Sequence, residues 1–227
     1  IKKIDPRDTY GSTDLMVKQC QAAWDEVNKI EVNFSSDGIK NIVFCGMGAS
    51  IYGALVTKSL LGLQMQYPSE VVTDYHLPAY VGENSLVVLT SYSGTTEEVL
   101  SCAEEAKAKK AKMLVLTRGG QLAEFAKANN IPAYVFDGKY NPSGVPRLGN
   151  GYSILGLIGL LNKARIIDIE DKEISDAITR LEEKLPEIKG QALREFEVFE
   201  NKIPVIIAGE HLAGNAQIFR NQFNETS

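Results

Sequence analysis

Residues 85–98, SLVVLTSYSGTTEE, carry an apolar run into a hydroxyl-rich turn and then into a helix start. Leu86, Val87, Val88 and Leu89 form a continuous apolar stretch, the pattern of a strand buried on both faces of a parallel sheet. Ser91, Ser93, Thr95 and Thr96 follow around Gly94. Thr95 with Glu98 three residues on makes a capping box, so a helix is expected to begin there with its free N–H groups turned toward the hydroxyls. A phosphate in that turn would meet backbone donors, the positive end of a helix and hydroxyl groups, with no lysine required. A strand, a polar turn and a capped helix describe any βα unit. Ser91, Ser93, Thr95 and Thr96 together nevertheless exceed what one cap uses. Glu97 and Glu98 weigh little against an anion, because first-turn side chains splay from the helix axis.

The flanking sequence repeats the arrangement. Asn41 to Cys45 reads as a buried strand that ends in Gly46-Met47-Gly48-Ala49-Ser50, with a helix expected over 51–61. Two glycines one residue apart let a backbone approach a ligand closely, and Ser50 would stand at the helix start. The dinucleotide fingerprint G-x-G-x-x-G is not completed, since Gly53 falls one position late. Glu70 and Asp74, the acidic residues in range for a ribose, follow no clean strand end, which disfavours a nicotinamide cofactor. Strands are further expected over 70–75, 113–117 and 133–136, and helices from Thr95 to about 110 and over 122–129. The lysines at 107, 109, 110 and 112 suit a helix C-terminus. Strands alternating with helices at this spacing imply βαβ units, right-handed crossovers and a doubly wound parallel α/β sheet with flanking helices. Both turns then fall at strand C-terminal ends, so they are expected to share one site.

Around this unit, residues 1–40 form an N-terminal segment with a helix opening at Ser12 or Thr13, whose apolar face runs Met16, Cys20, Ala23, Trp24, Val27 and Ile30. The sheet domain covers 41–150 and ends in YNPSGVPRLGNGY (140–152), where Arg147 is the cation apart from the flanking Lys139. A guanidinium facing an anion and an ordinary surface arginine both fit that loop. Residues 151–202 read as a helical connector: a buried helix over 154–161, an amphipathic one over 173–185 and another opened by Pro186. Residues 203–227 begin with a buried strand, Pro204 to Gly209, and continue into a helical stretch. One strand and one helix cannot bury a sheet face, so this segment either completes the first sheet or opens a second domain. His211, at a strand end, is a better catalytic candidate than His76 beside Pro78, although a plain loop role suits both.

Composition narrows the function. The 227 residues are 44% hydrophobic with a net charge of −5 and a sequence pI of about 5.2, with no basic stripe for a nucleic acid. No apolar run approaches the roughly 20 residues of a membrane span, and no signal-peptide pattern opens the sequence. Cys20, Cys45 and Cys102 sit far apart in apolar patterns, as reduced core residues of a cytoplasmic protein would.

Gly46-Met47-Gly48-Ala49-Ser50, Ser91-Tyr92-Ser93-Gly94-Thr95-Thr96-Glu97-Glu98, Pro146-Arg147 ahead of Gly151-Tyr152, and Asn221-Gln222-Phe223-Asn224-Glu225 together resemble the bifunctional phosphoglucose/phosphomannose isomerases of the sugar isomerase (SIS) superfamily. The serine-rich turn is shared across that superfamily, whereas the Arg147 loop and the Asn-Glu segment narrow the resemblance to the bifunctional enzymes. It implies a flavodoxin-like SIS fold and an aldose-ketose isomerase that interconverts glucose 6-phosphate or mannose 6-phosphate with fructose 6-phosphate through an enediolate, without metal or nucleotide. By position, Ser50, Ser91, Ser93 and Thr96 would bind the 6-phosphate beside the backbone of Gly48 and Ala49. Arg147 would stabilise the enediolate oxygen, and Glu225 would be the base. From the residues alone Glu225 reads as a solvated tail position. The resemblance also implies a homodimer, a second SIS domain of which residues 203–227 are the first part, and a ring-opening His and a Lys beyond residue 227. A non-catalytic sugar-phosphate sensor is the alternative in another class; it would call for an effector module, and none precedes Asn41. SIS enzymes of aminosugars or pentose phosphates are a third reading, against which the Arg147 loop argues.

Overall fold

A computed structural model of the chain describes residue 3 and residues 5–226. Helices α1 (Thr9–Asp14) and α2 (Met16–Val27) lead into strand β1 (Asn41–Cys45), then α3 (Tyr52–Leu61), β2 (Ser69–Val72) and β3 (Ser85–Ser91). There follow α4 (Glu97–Ala108), β4 (Lys112–Thr117), α5 (Gly120–Ala128) and β5 (Ala133–Val135), and finally α6 (Asn150–Lys163), α7 (Asp171–Glu195) and α8 (Ala213–Thr226). The strands make one parallel sheet in the order β2-β1-β3-β4-β5. The chain crosses from one side of β1 to the other between β2 and β3. The loops leaving β1 and β3 therefore part at a topological switch point, where open α/β sheets bind ligands.

The period-2 alternation of the strands sorts the core into two layers. Ile42, Phe44, Leu86, Val88, Leu114 and Leu116 pack toward α2 and α6, while Val43, Cys45, Val87, Leu89 and Val115 pack toward α4 and α5. Each fully buried aliphatic side chain contributes ~1.5–3 kcal/mol relative to exposure. A one-residue slip would exchange the two layers, so the pairing of Ile42 with Leu86 and of Val88 with Leu114 is strongly fixed. At the other end of the sequence α8 packs on α3. Gly214 N donates to Ser59 Oγ at 2.8 Å, and Ile218 joins Ala49, Ile51 and Tyr52 in a small buried cluster.

Four expectations are corrected. The Thr95–Glu98 capping box does not form: α4 starts at Glu97 behind Thr96, and no side chain caps it. The hydroxyls bond one another instead, Ser91 Oγ to Thr96 Oγ1 at 2.7 Å and Ser93 Oγ to Thr95 Oγ1 at 3.0 Å. The N-terminal helix is broken at Leu15, and it starts earlier because the Asp5 carboxylate accepts N–H bonds from Thr9 (2.9 Å) and Tyr10 (2.8 Å). Those two bonds hold the Asp5 carboxyl below its usual range. Pro186 does not open a new helix but lies inside α7. It is exposed, as is Glu182 one turn earlier, so the carbonyl left without its N–H partner can be solvated. Residues 204–209 form no strand, and the sheet ends at β2 and β5. Ile203, Val205 and Ile207 are 93, 80 and 91% exposed. Alternating apolar residues make a strand only where a neighbour completes the ladder, and neither edge of this sheet reaches them.

Gly94 closes the hydroxyl turn with φ +72°, and a Cβ there would lie 1.7 Å from Gly119 O. Gly94→Ala is expected to destabilise the fold by about 3 kcal/mol or more, since the left-handed backbone alone costs ~1–2 kcal/mol and the overlap adds to it. A urea titration followed by circular dichroism measures the shift.

Candidate functional site

Beyond the C-terminal ends of β1 and β3, Met47, Gly48, Ala49, Ser50, Tyr92, Ser93, Thr96, Pro146, Arg147 and Glu225 line a cavity of about 290 Å³. Four separate stretches of chain meet there. The strand β1 delivers residues 46–50, which continue into a 3-10 turn, Gly48–Ile51. β3 delivers the hydroxyl turn, the loop after β5 delivers a 3-10 turn, Pro146–Leu148, and the packing of α8 on α3 delivers Glu225. Larger grooves of about 590 and 660 Å³ lie against the C-terminal ends of α3 and α6 and against residues 30–37. They sit away from the C-terminal ends of the strands, and size without convergent chemistry does not make a site.

The expected phosphate ligands divide by position. Ser93 and Thr96 face the cavity, and Ser50 lies on its wall with its Oγ accepting the Tyr92 N–H at 3.0 Å. Ser91 is buried beneath the turn; its Oγ pairs with Thr96 and accepts the Gly94 N–H at 3.0 Å. It braces the turn from below. Gly48 has φ +54°, and a Cβ there would meet nothing within 4 Å, so its backbone is open to the cavity. Gly53 belongs elsewhere, inside α3, where a Cβ would meet Ser153 O of α6 at 2.4 Å.

Arg147 and Glu225, far apart in sequence, form an ion pair with Nη1 donating to Oε2 at 3.1 Å. They are the cation and the carboxylate of the cavity wall. Gln222 Nε2 donates to Arg147 O at 3.2 Å, which ties α8 to the arginine turn a second time. Arg147 Nε is buried with no acceptor within hydrogen-bond reach. Such an orphaned donor is costly in a site that does nothing with it, and it suits a ligand oxygen. The Tyr52 hydroxyl, also buried, makes no hydrogen bond of ordinary geometry although Asn221 lies beside it. Burial, and after it the Glu225 carboxylate, push that phenol above its usual range. His76 stands outside the cavity, bonded through Nδ1 to Glu105 at 2.6 Å, and His211 is exposed in a short 3-10 turn.

The arginine loop is shaped by residues that the motifs do not include. Gln19, fully buried on α2, donates to Tyr140 O and Leu148 O, both at 2.9 Å, and accepts from Gly151 N at 3.2 Å. Asn141, 1% exposed, donates to Tyr92 Oη at 2.7 Å and to Val145 O at 2.9 Å. Gln19 left a trace in the sequence, as a polar residue set between Met16 and Ala23 on the apolar face of its helix. A buried amide there needs partners, and the loop supplies them.

Among the described residues no helix is long and apolar enough to cross a membrane. Residues 38–131 match the SIS domain family. Over 205 residues, 87% of the chain, the sequence is 37% identical to a bifunctional phosphoglucose/phosphomannose isomerase of Caldicellulosiruptor bescii, of which it covers 59%. A protein of the same name from Aquifex aeolicus is 34% identical over 91% of the chain, with 60% of its own length covered. The chain thus spans about three-fifths of the length of these relatives. In structure it is similar to the C-terminal domain of glucosamine-fructose-6-phosphate aminotransferase from Francisella tularensis. That match has a TM-score of 0.65 at 15% identity and covers 96% of this chain and 65% of the other, a likeness of fold. Residues 38–131 are therefore similar to SIS domains, and over most of its length the chain is similar to proteins named bifunctional phosphoglucose/phosphomannose isomerase.

Proposed function

We propose that this chain provides the hexose 6-phosphate site of an aldose-ketose isomerase that interconverts glucose 6-phosphate and mannose 6-phosphate with fructose 6-phosphate. The observation that carries the proposal is one cavity walled by a hydroxyl turn at one side and the Arg147–Glu225 pair at the other. The 6-phosphate is held by Ser50, Ser93 and Thr96, with Ser91 below and the backbone of Gly48 and Ala49 beside it. The open-chain sugar then extends toward Arg147.

The chemistry follows from the two charged groups. Glu225 takes the proton from C2 of the aldose and the C1 carbonyl becomes an enediolate oxygen; the O2 hydroxyl proton passes to O1, and the same carboxyl returns its proton to C1 as O2 becomes the ketose carbonyl. Arg147 faces the oxygen on which negative charge develops, a fixed cation in a partly dry site. Glucose 6-phosphate and mannose 6-phosphate differ only in configuration at C2, so removal of that proton leads both to one enediolate. Neither step calls on a metal or a nucleotide.

In the whole protein, residues 203–227 are the first part of a second SIS domain. Its further strands would pair with 204–209 and cover Ile203, Val205 and Ile207, and its side chains would supply ring opening. A cytoplasmic homodimer is the assembly we assign to it. The three cysteines are free and buried, in keeping with a reducing compartment.

Ser91→Ala combined with Ser93→Ala tests the phosphate turn. Affinity for fructose 6-phosphate, measured by titration calorimetry, is expected to fall about 100-fold, as the Ser93 hydrogen bond to a charged group is lost together with the Ser91 brace that holds the turn in place. Unchanged affinity would remove the phosphate from this turn.

A further inference from the structure

We infer that Tyr92 is a positioning residue that couples the phosphate turn to the placement of Arg147. The inference rests on the proposed site and assigns to it a group that the phosphate and acid-base roles leave unused. Tyr92 lies between Ser91 and Ser93 and is 5% exposed. Its backbone is bound on both sides, the N–H to Ser50 Oγ at 3.0 Å and the carbonyl to Arg118 N–H at 3.1 Å. Its side chain points away from that turn into the arginine loop.

There it meets both ends of the 3-10 turn that carries Arg147. Tyr92 Oη accepts from Asn141 Nδ2 at 2.7 Å, and the same nitrogen donates at 2.9 Å to the carbonyl of Val145, the residue just before Pro146–Leu148. Just after it comes Gly149, where a Cβ would lie 2.4 Å from Tyr92 Cε2. The ring is wedged by an edge contact with Phe136 at 5.2 Å, and Phe136 in turn stacks on Tyr152 at 4.7 Å. Burial pushes the Tyr92 phenol above its usual range. One side chain thus brackets the arginine turn, while its own backbone belongs to the phosphate turn.

A hexose 6-phosphate presents its anion and its C1 and C2 oxygens at a spacing set by its own carbon chain. The site must therefore hold the hydroxyl turn and the guanidinium at a matching spacing, and Tyr92 is the strut between them. A misplacement of about 1 Å at such a site costs on the order of 100-fold. The strut matters only to ligands that reach both ends.

The test compares two ligands on the chain by titration calorimetry: inorganic phosphate, and 5-phosphoarabinonate, which carries a carboxylate at the end remote from its phosphate. Tyr92→Phe keeps the ring and removes the hydroxyl. It is expected to weaken 5-phosphoarabinonate about 10-fold and to leave inorganic phosphate within about 2-fold. In an Arg147→Ala background the same substitution should have no further effect, because a group that acts through Arg147 is silent without it. Asn141→Ala, which removes the donor from the other side, should give the same split. Equal losses for both ligands, losses that persist without Arg147, or no loss at all would overturn the inference. If the unsubstituted chain bound neither ligand, the proposed site would fall and this inference with it. Binding by the unsubstituted chain without the Tyr92→Phe split would overturn the strut alone.

Discussion

Glu225→Gln is expected to lower the rate of fructose 6-phosphate isomerisation about 10³-fold in the full-length protein while leaving KM within a few-fold. A positioned general base contributes on the order of 10²–10⁴. The amide keeps the shape of the carboxylate, and its oxygen can still accept the Arg147 Nη1–H bond that closes the pair at 3.1 Å. The fold therefore has little reason to respond, and the phosphate contacts are untouched. Loss confined to kcat is the signature of a group that acts in the transition state alone. Exchange of the C2 proton with solvent offers a second reading of the same step, since a carboxylate open to water at 43% side-chain exposure should release part of its proton before returning it. Both exchange and turnover should vanish together. Turnover within about 10-fold of the parent would place the base elsewhere.

The sheet was legible because parallel strands buried on two faces must be apolar throughout, and Leu86 to Leu89 and Ile42 to Cys45 are. The hydroxyl turn was legible for a different reason: Ser91, Ser93 and Thr96 have no packing role that would place them together. What the turn does with those hydroxyls was not. Capping chemistry would have paired Thr95 with the start of α4, yet each hydroxyl had a nearer one to bond, and the helix end stayed free of side-chain caps. Local rules compare a residue with its own segment, and here the competitor lay across the turn.

The remaining site residues depended on contacts that run across the chain. Arg147 could equally be a surface arginine until α8 brings Glu225 to it, and Glu225 carries no signal of its own in a polar C-terminal stretch. Its resemblance to a family pattern was the sole pointer. The residues 204–209 erred the other way. Their strand propensity is real, but propensity in a sheet measures fit to a neighbour, and the described residues contain none. Pro186 could sit within α7 for want of burial: a proline breaks a helix firmly where the freed carbonyl is dry.

Arg147→Ala is expected to reduce kcat about 10³-fold, and Arg147→Lys about 10²-fold, with only a modest rise in KM. Losing one donor to a developing oxyanion costs roughly 2.7–4 kcal/mol, and the alanine variant loses the charge as well. Lysine restores the charge but not the planar fork. That distinction matters here because Nη1 already serves Glu225 while Nε is buried without an acceptor. A single ammonium cannot keep the base oriented and also present a second fixed donor to the substrate. Stability should change little, since a partly exposed ion pair is worth only ~0–1 kcal/mol, so a melt that matches the parent separates lost catalysis from lost fold. Added guanidinium should restore part of the activity of the alanine variant and none of that of Glu225→Gln. Rescue of neither variant, with kcat for Arg147→Ala near that of the parent, would mean that the buried Nε donor has a purely structural partner in the intact protein and that the enediolate is stabilised by another group.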